Sequence, residues 1–538
     1  MTSEKTKETG NTVLKRFGQR ALDYLRSPGR QQSVISSAPT QHVLSTPEKA
    51  FDSDSDNDRP QNITSYVAER KTTLGGRFFD SITKYAGSRF VLILTSSILI
   101  AWAIVGIVLG APRNWQIAMQ DGSSIQCYIS DSLLMRQQQN NCHELLTVLV
   151  QLQSRNASYM RMLRALPNDR KLGHSATSTS VKRLAEEDPR QAVNLPTENW
   201  CDVSCNWISL AVGSIYALII YWGGVIAWIG LGPMLSWDNL WQLYVNTATA
   251  VELTFTSMFL QNTRRRHMDY LEECLASIIK TDCEIELLLR QLTGDIQPNP
   301  TLEIEPQEVA TGVRLIDYYA DLIGSGAGVF ISICVFIIWI AIGNYMQWNS
   351  NWWLIIGTYT GLVGFVDGFV LRNIYFREDK MLNTQFNALI NADMDISQAL
   401  DLHLPHQHLA FKKGLIHRMS RSMGILCSKP ETVFGAVVIV VLLLCIASGM
   451  QWSETAQLLC NTPTMIIEGF LLIVLVQAHN MAHSRRRVQL RGVLLRRLAL
   501  LDYIKQMVEQ ASVTQGKTIG DEKIRIDTEV VYMDSIEL

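Results

Sequence analysis

The sequence predicts an all-α polytopic membrane bundle of about eight transmembrane helices in four repeated hairpins, with both termini in the cytosol. Three observations predict it. Apolar runs long enough to cross a bilayer recur along the chain. Basic residues collect on one side of those runs. One plan, an apolar span, a short loop and a polar-tinged span, returns four times.

The chain has 538 residues, of which 47% are hydrophobic and 18% charged. The apolar excess lies in runs, which argues for a membrane domain rather than a string of soluble ones. A net charge of −2 gives no general attraction to nucleic acid, and no such partner is expected. The ten cysteines have no framework spacing, so no disulfide scaffold is expected. The N-terminus, "MTSEKTKETGNT", lacks an apolar core, so the first span is expected to serve as the membrane signal.

Hydropathy alone finds seven runs: Phe90–Leu109, Ile208–Leu231, Leu243–Leu260, Leu322–Ile342, Trp353–Leu371, Val433–Met450 and Met465–His479. The loops "GPMLSWDNLW", "NYMQWNSNW" and "QWSETAQLLC" carry no Lys or Arg, whereas "QNTRRRH", "LRNIYFREDK" and "HSRRRVQLR" are basic. The positive-inside rule puts the first group outside and the second inside. The segment after residue 140 is also basic, so an eighth crossing is needed, at residues 117–136. The second spans align as "WQIAMQDGSSIQ", "WQLYVNTATAVE", "WWLIIGTYTGLV" and "AQLLCNTPTMIIE".

In chain order, residues 1–75 are a polar tail unable to bury a core and expected to be disordered in the cytosol. Repeat 1 covers 76–140, repeat 2 covers 206–266, repeat 3 covers 321–378 and repeat 4 covers 431–487. The segments 141–205, 267–320 and 379–430 are cytosolic, the second of them helical by its apolar spacing. Residues 488–538 form a cytosolic C-terminal helix and tail. His403, His406 and His408 read as a solvated loop before they read as a metal handle, and Cys201 and Cys205 as a reduced structural pair. The sequons at Asn62 and Asn156 fall on the cytosolic side, so no glycans are expected.

Every second span carries carboxylates at membrane depth: Asp121 and Asp131, Glu252, Asp367 and Glu468. A charge at the bilayer centre costs at least about 2.5–3.5 kcal/mol, so such residues face a cavity or a partner. No Lys or Arg lies mid-span to neutralise them. On a helical wheel Gln120, Ser124, Cys127, Asp131, Met135 and Gln138 share an arc of roughly 80°, with Asp121 at its edge. Asn461, Met465, Glu468 and His479 lie near one face of the last span, and the Glu252–Gln261 spacing returns as Glu468–Gln477. Oxygen donors mixed with sulfur and imidazole suit first-row transition metals. The residues point to a divalent-metal permease and leave a proton or monovalent-cation path open.

The stretches "NWQIAMQDGSSIQCYISDSLLMRQQ", "NWWLIIGTYTGLVGFVDGFVLRNIYFRE" and "NTPTMIIEGFLLIVLVQAHN" resemble the fungal low-affinity iron permeases, over about residues 75–505. The resemblance implies a multi-pass plasma-membrane protein that takes up Fe(II) and admits zinc and copper. It implies metal-path roles for Gln120, Asp121, Gln126, Asp131, Met135, Asp367, Glu468, Gln477 and His479. Ser124, Cys127, Glu252, Asn461 and Met465 are candidates from the stripes alone. No resident cofactor and no enzymatic activity are expected. The expected partners are divalent metal ions and the lipid bilayer, and a homo-oligomer is among the assemblies the sequence allows.

No Walker-type phosphate loop appears, so the membrane potential is the expected drive, with exit near Arg136, Cys142, His143 and Glu144. Two other classes compete. A receptor or scaffold has no need of carboxylates in every second span. A haem-dependent metal reductase needs paired histidines on facing spans, and His479 alone lies within one.

Overall fold

The computed structural model describes residues 33–43, 62, 74–166, 199–305, 308–400 and 422–514. Of these, 85% are helical, and the fold is all-α. Strand β1 (Val34–Ser36) is followed by α1 (Leu74–Ala86), α2 (Arg89–Leu109) and α3 (Arg113–Ala165). Next come α4 (Trp200–Val212), α5 (Ile215–Leu231) and α6 (Asn239–Thr293). They lead to β2 (Leu302–Ile304), α7 (Thr311–Ile323), α8 (Gly326–Gly343) and α9 (Ser350–Ala399). Helices α10 (Pro430–Gly449) and α11 (Glu454–Thr514) end the described chain. His403, His406 and His408 lie outside the described residues.

Four long helices, α3, α6, α11 and α9, pack in that cyclic order into a closed bundle. With 50 to 61 residues each, they run about 75–90 Å at 1.5 Å per residue. Their register is uniform from end to end. Trp115, Trp241, Trp352 and Ala456 hold matching places, and residues at equal offsets from them meet in layers. Two residues on, Ile117, Leu243, Leu354 and Leu458 form one apolar cluster. Further on, Leu134, Leu260, Leu371 and Leu475 belong to another, and Leu149, Leu275, Phe386 and Leu490 to a third.

The short helices α2, α5, α8 and α10 flank half of this bundle. They are apolar all round, as lipid-facing helices are. Only 11% of the most apolar window of α2 and 17% of that of α10 is buried, against 67% in α9 and 83% in α11. Among the described residues, four helices (α2, α9, α10, α11) are long and apolar enough to cross a membrane, and up to six if each bent pair counts as one span. Helices α3 and α6 fall below that threshold because of their polar stripes. The runs read as Ile208–Leu231 and Leu322–Ile342 are not straight spans. The first bends by 60° between α4 and α5, and the second by 64° between α7 and α8. The cause is local in the first case: Ser214 caps α5, its side chain accepting from Ala217 N, after Gly213 has ended α4.

Each flanking helix returns into its long partner through the same turn. The backbone N–H groups of Ala111, Trp237, Trp348 and Trp452 donate to the carbonyls of Gly106, Gly232, Gly343 and Ala447. Two consecutive residues there have positive φ, as in Ser236 and Trp237 at 54° each. Three of the turns are clamped by indoles. Trp102 and Trp115 stack at 3.8 Å, Trp228 and Trp241 at 3.9 Å, Trp339 and Trp352 at 4.3 Å. In each pair both Nε1–H groups donate to the other tryptophan's carbonyl. Gly106 is required by contact, since a Cβ there would lie 2.0 Å from the Trp115 ring. The fourth turn has no tryptophan pair, and Cys460 Sγ reaches the Leu443 carbonyl instead.

The boundaries drawn at 140, 266, 378 and 487 fall inside continuous helices. The long helices do not end at the basic residues, because their apolar faces continue into a second core around Leu146, Ile278, Leu389 and Val493. Beyond it, Asn156, Asp282, Asp393 and Arg497 again share one offset and meet in a buried polar layer. Arg497 pairs with Asp282 at 3.2 Å and Asp393 at 3.0 Å, and Asn156 donates to Asp393 at 3.1 Å. Arg155, Glu286, Arg290 and Arg496 extend the network. Asn156 is thus buried and engaged within the fold, unable to present a glycan.

Part of the N-terminal tail departs from the expectation of disorder. β1 pairs antiparallel with β2, Val34 opposite Ile304, and Val34 is buried in the second core. Ala38 N donates to Ser154 Oγ, and Gln41 N to Glu286 Oε1. Three apolar and hydroxyl residues inside a polar tract suffice, because a preformed edge and the bundle supply the rest.

Candidate functional site

Two polar levels cross the flanked half of the bundle. The first lies one turn inside the tryptophan turns, where Gln120, Asn246, Gly357 and Asn461 share one offset. Gln120, Asn246 and Asn461 are fully buried, and Asp121 nearly so. Every side-chain oxygen and nitrogen of these four lacks a hydrogen-bond partner. Gly357 makes their closeness possible: a Cβ there would stand 2.5 Å from Asp121 Oδ1 and 3.6 Å from Asn461 Nδ2. A buried polar group without a partner costs about 1–3 kcal/mol. Four together call for contacts from outside the chain, from water or a bound ion.

The second level surrounds a small cavity lined by Cys127, Asp131, Ser257, Gly368 and Glu468 with leucines from α6, α9 and α11. It has room for about one water-sized body. Glu468 lies against the α9 backbone, since a Cβ at Gly364 would fall 2.8 Å from its Oε1. Asp131, Asp367 and Glu252 are all within electrostatic reach of Glu468. Asp367 accepts from Tyr319 OH at 2.7 Å, leaving Oδ2 without a partner. Glu252 accepts from Thr256 Oγ1 at 2.9 Å, and its Oε2, also unpartnered, faces Gly469 and the Tyr221 hydroxyl. Among the described residues, no Lys or Arg pairs with these carboxylates.

The other candidates divide. Gln126 donates to Ser257 Oγ at 3.2 Å, beside the cavity. Ser124 is buried on α3 between the two levels. Met135 and Met465 pack in the apolar cluster with Leu253 and Leu472, as core side chains do. Gln477 is half-buried on α11 and does not line the cavity. His479 is buried below the cavity, about 16 Å beyond Glu468 along α11.

The sequence reading passed over His267 and His483, which adjoin His479. One ligand nitrogen from each of the three lies within 4.8 Å of the others. The signal available was the one-turn spacing in "HNMAH", which puts His479 and His483 on one face. The expected exit residues lie nearby on α3: the Cys142 thiol is buried and close to Glu378 and Arg486, whereas His143 is exposed.

A profile described as low affinity iron permease matches residues 202–286, 313–406 and 416–525. The low-affinity iron/zinc ion transport protein fet4 of Schizosaccharomyces pombe is 51% identical over 90% of this chain and 85% of its own length. The chain belongs to the low affinity iron permease family. The low-affinity Fe(2+) transport protein of Saccharomyces cerevisiae is 37% identical over 90% of this permease and 97% of its own length. No solved structure matches the permease. Its family and its apolar helices make it a multi-pass membrane protein, and both relatives are named as transport proteins.

Proposed function

We propose that this permease carries ferrous iron, and with it zinc and copper, into the cell at low affinity along the axis of the four long helices. One observation carries the reading: Gln120, Asp121, Asn246 and Asn461 meet in the bundle with no hydrogen-bond partner, above a cavity bordered by Asp131 and Glu468, and among the described residues no Lys or Arg pairs with them. The cation they lack is the cargo. On this reading the eight crossings are the four turn-linked helix pairs, set in the plasma membrane with the tryptophan turns outside and the termini in the cytosol. The repeated turn and the uniform offsets support four equivalent hairpins. Helices α3 and α6 cross despite their polarity because their polar faces look inward.

Fe(II) sheds water at the amide level, where Gln120, Asn246, Asn461 and Asp121 offer oxygens. It then passes to the cavity between Asp131 and Glu468. Carboxylates and amides without a preorganised cage hold a hard or borderline ion weakly and release it readily. Inward movement of two charges gains about 4.6 kcal/mol per 100 mV of potential, enough without ATP. No resident cofactor takes part. Against the haem reading, the three clustered imidazole ring centroids lie 3.9–5.2 Å apart, which leaves no space for a macrocycle between them.

The test is radiolabelled Fe(II) uptake into liposomes holding the purified full chain. Asp131→Asn is expected to lower uptake by at least about tenfold, given the cost of removing a mid-membrane charge partner. Normal uptake by a folded Asp131→Asn protein overturns the reading.

A further inference from the structure

We propose that His267, His479 and His483 form a binding site for a divalent first-row transition metal, placed at the inner end of the bundle's polar axis. Its place as the last station of the route rests on the transport reading. Its chemistry does not.

The three side chains are 3%, 1% and 4% exposed. His267 comes from α6, and His479 and His483 stand one turn apart on α11. Both nitrogens of His479 and Nε2 of His267 have no hydrogen-bond partner. Structural histidines in a core bond at least one nitrogen; His479 bonds neither. Three imidazoles and an open fourth position suit Zn(II), Fe(II) or Co(II). Such nitrogens would stand about 3.3 Å apart around a metal at 2.0–2.1 Å. The cluster therefore tightens by up to about 1.5 Å on binding, by side-chain rotation.

The surroundings are basic, and the charges have owners. Arg266 pairs with Asp202, Arg486 with Asp379, and Arg264 donates to Gln138 close to Glu378. Arg487 differs. Its guanidinium donates to His267 Nδ1 at 2.7 Å and to Ser484 Oγ at 3.2 Å. A guanidinium only donates, so it occupies the Nδ1 lone pair and leaves the neutral ring's proton on Nε2. A metal taken by His267 must displace Arg487, which keeps Ser484. Arg487 is thus a built-in competitor that weakens the site.

The site adds what the upper levels lack. Amides and carboxylates admit Mg(II) and Ca(II) as readily as iron, whereas an all-imidazole set disfavours those hard ions. Selection for transition metals falls at this station.

The full chain, purified in detergent, is titrated with Co(II) and followed by visible d–d absorption. Wild type is expected to give a band that Zn(II) abolishes and excess Mg(II) leaves unchanged. His267→Ala and His483→Ala should weaken it more than about tenfold, and Arg487→Gln, which keeps all three imidazoles, should tighten it about tenfold. Asp131→Asn should retain it. No band in folded wild type, an unchanged band in the histidine variants, or no tightening in Arg487→Gln overturns the proposal. A retained band with no Fe(II) uptake by wild-type liposomes would sink the transport reading and leave the site standing.

Discussion

Glu378 shows what burial does to one side chain. It lies on α9, two turns beyond the apolar run Trp353–Leu371, beside Gln138, Arg264, Arg377 and Arg486. Burial raises its carboxyl from 4.5 to about 7, the bond from Gln138 and the three guanidiniums offsetting only part. Between those values the folded protein holds a proton that the unfolded chain has released. Stability from this group is therefore full below pH 4.5 and lost as pH rises through about 7. Glu378→Gln should raise the melting temperature at pH 8.5, by the equivalent of up to about 3 kcal/mol, and leave it unchanged near pH 5. Thermal unfolding in detergent across that range checks it. The carboxylates of the two polar levels were legible in the sequence because charge in an apolar run is conspicuous. His267 and His483 were not. They sit in basic tails that read as topology signals, and only the register between α6 and α11 brings them to His479.

Among the elements, α9 carries the closest approaches. Its Gly357, Gly361, Gly364 and Gly368 form the floor on which Asp121, Asn461, Glu468 and Leu471 rest. Gly357→Ala would drive a methyl into the Asp121 carboxylate, whereas Gly223→Ala on α5 meets open space. Fe(II) uptake should fall severalfold in the first and stay normal in the second, with the same liposome assay as the check. Sequence reading found α3 only through loop charge and the aligned tryptophans, since its polar stripe hides it from hydropathy. It missed the bends at Gly213 and Gly324, because the apolar runs continue through them and the turn is made by backbone and cap. It also set the repeat boundaries at the basic residues, where charge changes but the apolar spacing does not.

Over the whole molecule, the buried polar layer of Asn156, Asp282, Asp393 and Arg497 binds the four long helices together. Removing one member leaves its partners charged and dry. Asp282→Ala should destabilise the protein by about 3–5 kcal/mol, read as a lower melting temperature, while sparing the cobalt band in protein that remains folded. That such a layer exists was not legible. Asp282, Asp393 and Arg497 look like ordinary solvated charges in helical segments, and nothing local marks them as meeting.

That layer also decides how the bundle can move. The helices are tied about 38 Å from the Asp131 level and about 54 Å from the Gln120 level, and no break interrupts them between. They behave as a sheaf bound near one end. Rods held so can part only by fanning, and the gap grows in proportion to distance from the knot. The mouth nearest the tryptophan turns therefore widens about 1.4 times as far as the carboxylate level for the same tilt, and the histidine level, about 21–27 Å from the knot, opens least.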